Sequence, residues 1–258
     1  MLISIITINF NDVVGLQRTI LSVLEQTYTN IEYIVIDGGS TDGSKEYIEA
    51  HQESLAYWVS EPDTGIYNAM NKGIDAATGD YLLFLNSGDY LYSKNVLSYF
   101  QDFLVSSPDN DIYYGKIKVV GEKQWIKEYP NTLSFSYFVK DTIPHPATLI
   151  KRSCFKDFKY DELLKIVSDW KFFIIGICKL NFSYQYYDEV IATFGLDGIS
   201  SYNSDLVNKE RKEVLLKEFP LFMKDHDNCK KIKHQLKLSK QKTKLEQILQ
   251  KIYRKIIK

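Results

Sequence analysis

Hydrophobic and polar positions follow two rhythms along the first hundred residues. Leu2–Ile8 is a continuous apolar run, the pattern of a strand buried on both faces. Val13–Leu24 then repeats apolar residues at helical spacing through Leu16, Ile20, Val23 and Leu24. Ile31–Ile36 predicts a second buried strand, closed by the turn Asp37-Gly38-Gly39-Ser40-Thr41-Asp42-Gly43-Ser44 and a short helix. Leu55–Val59 predicts a third strand, Ile66–Ala77 a helix and Tyr81–Leu85 a fourth strand. Strand–helix alternation with short loops predicts an α/β fold, a mostly parallel Rossmann-like sheet flanked by helices. Ligands of such sheets sit beyond the carboxyl ends of the strands, and each candidate loop here follows one of those ends.

Past residue 110 the pattern turns irregular and aromatic. Ile112–Val120, Gln124–Tyr129 and Leu133–Val139 predict antiparallel strands, Asp169–Cys178 a buried helix, and Phe182–Tyr187 and Val190–Phe194 further strands. After about residue 204 the chain becomes helical and charged. The expected organisation is residues 1–110, residues 111–204 as the second half of the same domain, and a C-terminal helical extension over 205–258.

Composition narrows the class. With 258 residues, 45% hydrophobic and 14% aromatic, and only 13 Gly and 6 Pro, the chain can bury a core, which excludes disordered and collagen-like classes. Cys154, Cys178 and Cys229 are odd in number and widely spaced, so neither a disulfide scaffold nor a cysteine zinc site is expected. The opening MLISIITINFND has no basic n-region and reads as a strand rather than a signal peptide. No window approaches the roughly 18 apolar residues that cross a bilayer, and a cytoplasmic location is expected.

Charge is divided unevenly. Residues 230–258 hold eleven Lys/Arg and one acid, a net of +10, against −11 for residues 1–229. Leu245, Ile248, Leu249, Ile252 and Ile256 make an apolar stripe opposite lysines, the pattern of a basic amphipathic helix. Such a helix can lie on an anionic membrane surface, placing the protein peripherally on the inner face of the cell membrane, or dock as an ordinary helix. An acidic body repels phosphate, so no nucleic-acid partner is expected.

Four loops carry candidate chemistry. Thr7 and Asn9 alternate toward one side of the first strand's tip, where polar groups can meet a base or ribose, while Asn11 or Asp12 can cap the next helix. Asp37 ends the second strand, where a carboxylate accepts from a ribose hydroxyl or a base N–H and Gly38 and Gly39 allow close approach. No GxGxxG and no P-loop lysine follow, so neither a nicotinamide enzyme nor an ATPase is indicated. Ser60–Gly73 is a polar loop running into a helix that carries Asn71 and Lys72. Asp89, after Asn86-Ser87-Gly88, stands just past a buried strand, where one carboxylate can help hold Mg²⁺ or Mn²⁺ with a diphosphate and water. His145, between Pro144 and Pro146, is open to a phosphate or metal contact or to a rigid packed turn. The four histidines have no metal-ligand spacing.

The set ISIITINFND, IEYIVIDGGSTDGS, SEPDTGIYNAMNKG and GDYLLFLNSGD, in that order, resembles glycosyltransferase family 2. The likeness is dense over residues 1–100 and continues loosely through Pro144–Thr148, Ser168-Asp169-Trp170 and Gly198-Ile199-Ser200. It implies the GT-A fold, a nucleotide-sugar donor with UDP-sugar favoured, a divalent cation, and transfer with inversion to a glycan or lipid-linked acceptor of a cell-surface polymer. It further implies that Thr7, Asn9, Asp37, Gly38, Asp63, Gly65, Asn71 and Lys72 serve the donor, that Asp89 is the metal carboxylate, that His145 faces donor and acceptor, and that Asp169 is the catalytic base. Two departures stand out: the usual acidic run after the fourth strand is reduced to Asp89, and Met70 stands where many members carry Arg. A scaffold protein with eroded catalysis and a nucleotidyltransferase are the competing readings. Nucleoside diphosphate release, against pyrophosphate, separates the two enzymes.

Overall fold

The computed structural model describes residues 1–107, 109–196 and 203–256, with side chains described up to Ser239. Gly198-Ile199-Ser200 and the side chains of the Leu245–Ile256 stripe therefore lie outside the described residues. The chain forms two compact units, Met1–Arg211 and Lys212–Lys258.

The first unit is built on a nine-stranded sheet among the described residues. Its parallel part is β1 (Ile3–Asn9), β2 (Ile31–Asp37), β3 (Tyr57–Ser60) and β4 (Tyr81–Phe84), in the order β3-β2-β1-β4. β1 and β4 are buried along their whole length, β4 as an unbroken apolar run and β1 with Ser4, Thr7 and Asn9 among its isoleucines. The register aligns Asn9 with Asp37 and Asp37 with Ser60, so three polar residues form one row across the strand tips. Helices α1 (Val13–Leu24), α2 (Ser44–Ala50) and α3 (Ile66–Ala76) are the connections between these strands.

The second half extends the same sheet. β8 (Thr148–Lys151) pairs antiparallel with β4, and β6 (Ile112–Val120) pairs antiparallel with both β8 and β7 (Gln124–Lys127). β9 (Tyr184–Gly195) runs parallel to β6 and carries the short β5 (Tyr90–Leu91) on its outer edge. Two expectations need correction. Leu133–Val139 is not a strand: Phe135–Phe138 forms the single-turn helix α5, because the Ser134 hydroxyl caps the Tyr137 N–H and Phe138 is buried. Phe182–Tyr187 and Val190–Phe194 merge into one strand, β9, which starts only at Tyr184 and whose register on β6 slips between Tyr114 and Ile117.

Packing beneath the strand tips is aromatic. Phe172 of α6 (Ser168–Cys178) stacks on Phe155 at 4.5 Å and on Phe158 at 4.7 Å, and Phe84 meets Tyr160 edge-on at 5.4 Å. α4 (Val96–Ser106) buries Phe100 against Tyr187, with ring centroids 5.0 Å apart.

The loop after β4 is held by a close approach of α1. A Cβ on Gly15 would stand 2.8 Å from the Gly88 backbone nitrogen, so only glycine lets the helix abut this loop. Four residues on, the buried Thr19 hydroxyl donates to the Asp89 carbonyl at 2.6 Å and accepts from the Gly88 N–H at 3.1 Å. Gly88 takes φ +93°, a left-handed conformation that turns the chain back toward the sheet. α1 thus fixes the backbone of Asp89.

From Ser204 on the described chain is almost wholly helical. α7 (Ser204–Glu218) runs across the boundary between the units, and α8 (Pro220–Ile256) makes up most of the second. In α8 the residues Ile232, Leu236 and Leu238 are exposed among Lys230, Lys231, Lys233 and Lys237. Among the described residues no helix is long and apolar enough to cross a membrane.

Candidate active site

Three distant segments converge on one imidazole. Asp89 is delivered by the loop after β4, His145 by a 3₁₀ turn (His145–Ala147) stiffened by its flanking prolines, and Asp169 by the first turn of α6. His145 Nε2 lies 3.6 Å from Asp89 Oδ2, and His145 Nδ1 lies 3.5 Å from Asp169 Oδ2. The Tyr67 hydroxyl, from α3, donates to Asp169 Oδ1 at 3.0 Å. All four side chains are largely or wholly buried.

Burial and charge compete here, and the outcome differs residue by residue. For His145 burial is the largest single influence and opposes a charge, but the flanking carboxylates of Asp169 and Asp89 together raise its pKa to about 9. The imidazole is therefore a cation at neutral pH. Asp169 is pushed upward by burial, yet His145, the Trp170 N–H and Tyr67 outweigh that and hold it below the ordinary carboxylate value. Asp89 is raised, because burial there exceeds the help it gets from His145. The ionised form of Asp169 is thus favoured, also by its place in the first turn of a helix.

A second cation stands behind it. The Arg211 guanidinium lies over the Trp170 ring at 5.2 Å from its centroid, donates to the Lys140 carbonyl at 3.4 Å, and leaves its buried Nε without a hydrogen-bond partner. Burial lowers its pKa, against the attraction of Asp169 and Asp141.

The row of strand tips forms the other end. Asp37 is wholly buried, and its carboxylate accepts from Asn9 Nδ2 (2.7 Å), the Ser40 hydroxyl (2.6 Å), the Ser60 hydroxyl (2.6 Å) and the N–H groups of Gly39 and Ser40. Burial pushes its pKa up, but these donors hold it below the ordinary value. With Nδ2 committed to the carboxylate, Asn9 is left with a buried Oδ1 that has no hydrogen-bond partner. A Cβ on Gly38 would stand 2.6 Å from Asp63 Oδ2, so Gly38 is what lets the Asp63 carboxylate close over this edge. Asp63 in turn accepts from the Gly65 N–H at 2.8 Å, and Gly65 takes φ +136°. The exposed Phe10 ring lies beside Gly38.

The remaining expected residues are engaged in the framework. The buried Thr7 hydroxyl pairs with the Tyr33 hydroxyl at 3.0 Å. Asn71 donates to the Tyr160 carbonyl (2.9 Å) and to Glu162 (2.8 Å), and accepts from the Tyr160 N–H (3.1 Å). Lys72 pairs with Glu61 at 2.7 Å, and Met70 is buried. The structure therefore gathers Asp89, His145 and Asp169 at one end and Asn9, Asp37, Gly38, Asp63 and Gly65 at the other, and leaves Thr7, Asn71 and Lys72 holding the walls. Tyr67, Arg211 and Phe10 were not anticipated. Phe10 between Asn9 and Asn11 was a legible signal, an aromatic at a strand tip; Tyr67 and Arg211 sat in helical patterns with nothing local to mark them.

A divalent cation can be weighed against these residues. The Asp89 carboxylate, His145 Nε2 and Asn86 Oδ1 are oxygen and nitrogen donors, and the last two are buried without hydrogen-bond partners. Among the described residues there is no group of three His, Cys, Asp or Glu able to hold an ion unaided. This partial set fits Mg²⁺ or Mn²⁺, which take one or two protein ligands and complete an octahedron with phosphate and water. Ligation through Nε2 requires His145 to release that proton while keeping the one that faces Asp169.

The glycosyl transferase family 2 model matches residues 4–165. An uncharacterized glycosyltransferase of Mycobacterium tuberculosis (strain H37Rv) is 39% identical over 176 residues, 67% of each chain. The crystal structure of S. aureus TarS 1-349 in complex with UDP superposes with a TM-score of 0.63 at 19% identity, covering 84% of this chain and 70% of that one. The mannosyltransferase PcManGT from Pyrobaculum calidifontis, in complex with GDP-Man and Mn²⁺, gives 0.59 at 15% identity over 80% and 60% of the two chains. At these identities the structural likeness is one of fold, the GT-A fold. The chain belongs to glycosyltransferase family 2, and is an enzyme of that type. Asp169 and Arg211 lie beyond the matched segment.

The electrostatics predict an alkaline loss of stability. The folded state holds the His145 proton to about pH 9 where an unfolded histidine releases it near 6.5, so the contribution is complete below pH 6.5 and disappears as pH rises through 9. Urea unfolding of the wild type should weaken over that window by on the order of 1–3 kcal/mol. His145→Gln should be less stable at pH 6 and flat across the window. A wild-type profile as flat as the variant's contradicts the assignment.

Proposed function

We propose that this enzyme transfers a sugar from a nucleotide-diphosphate donor, UDP-sugar foremost, to a hydroxyl of a glycan or lipid-linked acceptor in cell-surface polymer synthesis, with inversion at the anomeric carbon. The observation that carries the reading is the buried Asp89–His145–Asp169 cluster, with its ionised carboxylate at one end, at the carboxyl edge of a GT-A sheet. The UDP bound by S. aureus TarS and the GDP-Man and Mn²⁺ bound by PcManGT support a nucleotide-sugar donor and a divalent cation.

In this reading the nucleoside lies over the strand tips. Phe10 offers a ring face for the base, Asn9 Oδ1 accepts a base N–H, and Asp37 acts by fixing Asn9 and the Ser40 and Ser60 hydroxyls. Gly38, Asp63 and Gly65 form the rim. The diphosphate then points toward Asp89 and His145. A cation held by Asp89 and His145 would neutralise the charge that gathers on the leaving diphosphate.

Asp169 takes the acceptor's proton as its oxygen attacks C1 from the face opposite the diphosphate. A base in that position contributes typically a hundredfold to ten-thousandfold. Tyr67 orients the carboxylate, and His145 limits its basicity while it carries its second proton. Arg211 braces the ring of Trp170, whose backbone N–H helps keep Asp169 ionised.

Asp169→Asn should reduce sugar transfer at least about a hundredfold while UDP still raises the melting temperature. UDP at 100 times its dissociation constant should add about 2.7 kcal/mol of stability, and Mn²⁺ should increase the shift in the wild type but not in Asp89→Asn. Wild-type turnover in Asp169→Asn would remove it as base. No shift from any nucleotide would favour the scaffold reading, and pyrophosphate release a nucleotidyltransferase.

The second unit supports a membrane-surface role for residues 230–258. Exposed Ile232, Leu236 and Leu238 are interleaved with exposed lysines on α8, and each Lys or Arg near an anionic surface contributes about 1 kcal/mol. Full-length protein should float with vesicles containing anionic lipid and a chain ending at Cys229 should not. Equal flotation would exclude the helix as the anchor.

A further inference from the structure

A groove of about 530 Å³ opens between the first residues of β9 and the segment that follows β7, away from the Asp89–His145–Asp169 cluster. Its walls are Tyr129, Tyr184, Tyr186 and Asn131, with the carboxylates of Glu128 and Asp188 at the rim. Neither the donor site nor the proton transfer uses any of them.

The rings are held rigidly. Tyr184 and Tyr186 are two residues apart on one strand and so face the same side. Tyr114 of β6 lies against both, with centroids 6.3 and 5.4 Å away. The phenol oxygens are tied down: the Tyr184 hydroxyl accepts from the Leu133 N–H at 3.0 Å, the Tyr186 hydroxyl donates to Asp188 at 3.1 Å, and the Tyr114 hydroxyl donates to the Pro130 carbonyl at 2.5 Å. Half-buried rings already fixed in place lose little entropy when a ligand covers them.

Charge limits what can enter. Lys116 Nζ sits 2.8 Å from Asp188 and 3.8 Å from Glu128, and Lys127, over the Tyr129 ring, pairs with Asp141 at 2.9 Å, so both of these cations are already held by carboxylates. The rim is left with a surplus negative charge, which rejects phosphates and carboxylates. Ring faces, the amides of Asn131 and Gln185 and hydrogen-bond-accepting carboxylates instead match the C–H faces and hydroxyls of an uncharged sugar. The volume lies in the ordinary range of small-molecule sites.

Position relates the groove to the reaction. Lys127 lies over the Tyr129 ring at 5.1 Å and pairs with Asp141 at 2.9 Å, and the neighbouring Lys140 carbonyl accepts from Arg211, whose guanidinium covers the ring of Trp170, the residue after Asp169. These contacts join one wall of the groove to the helix that carries Asp169. We infer that the Tyr129–Tyr184–Tyr186 groove is a binding subsite for uncharged sugar residues of the acceptor, remote from the hydroxyl that is glycosylated. The inference rests on the transferase reading for its role, but not for its ligand class.

A glycan array spanning uncharged, amino and acidic oligosaccharides, probed with labelled full-length protein, tests it. Wild type should retain uncharged glycans. Tyr186→Ala should lose roughly tenfold in retention, and Tyr186→Phe, which keeps the ring, should stay within about threefold. The UDP-induced melting shift should be the same in all three, which shows that the variants are folded with an intact donor site. Asn131→Ala, at an exposed position, should weaken the same glycans without touching the packed rings. Retention of acidic glycans alone, of none, or equally by Tyr186→Ala and Asn131→Ala would overturn the proposal. Glycan retention that depends on Tyr186 in a protein no nucleotide stabilises would uphold the groove and sink the transferase reading instead.

Discussion

The site depends on one buried cation between two carboxylates. Asp89, His145 and Asp169 come from a strand-end loop, a proline-flanked turn and a helix start, and none is close to another in sequence. Bringing two acids together in a buried place would normally protonate one of them. His145 removes that conflict by carrying a proton between them, and so keeps Asp169 ionised in surroundings where burial alone would neutralise it. The cluster is also asymmetric, since Asp89 remains raised while Asp169 is lowered. That asymmetry suits the proposed division of tasks, proton acceptance at Asp169 and charge neutralisation beside Asp89.

The fold supplies this arrangement by backbone means. Gly15 and Thr19 of α1 fix the loop that carries Asp89, and the parallel register of β1, β2 and β3 lines up Asn9, Asp37 and Ser60 without any loop having to reach. Asp37 is best understood through its five donors. It is the rigid centre of the row, and Asn9 is the group it presents. Asn71 performs a similar service from α3, holding both backbone groups of Tyr160 beside the aromatic layer under Asp169. Polar residues that a motif assigns to the ligand thus act partly by ordering their neighbours.

Much of this was legible in the sequence, for identifiable reasons. The parallel half was readable because its strands are buried on both faces and its turns carry glycine at positions that need it, as at Gly38 and Gly88. Asp89, His145 and Asp169 were each nameable, but their meeting was not, because tertiary packing alone closes separations of 56 and 24 residues. Leu133–Val139 misled because Ser134 and Ser136 alternate with aromatics at a strand period, and only the Ser134 cap and the burial of Phe138 make it helical. Tyr67 and Arg211 escaped notice for a related reason: each lies on a helix whose pattern is satisfied without them, and their chemistry appears only against Asp169 and Trp170.

The central claim is that His145 is charged in the folded protein because two carboxylates flank it. A ¹⁵N–¹H spectrum of the histidine side chains, titrated from pH 6 to pH 10 without added metal and assigned with His145→Gln, measures this directly. The account predicts an imidazolium pattern for His145 at neutral pH that converts to a single neutral tautomer, protonated on Nδ1, with a midpoint near 9. A midpoint at or below the ordinary 6.5 would contradict it, and with it the physical basis for an ionised Asp169.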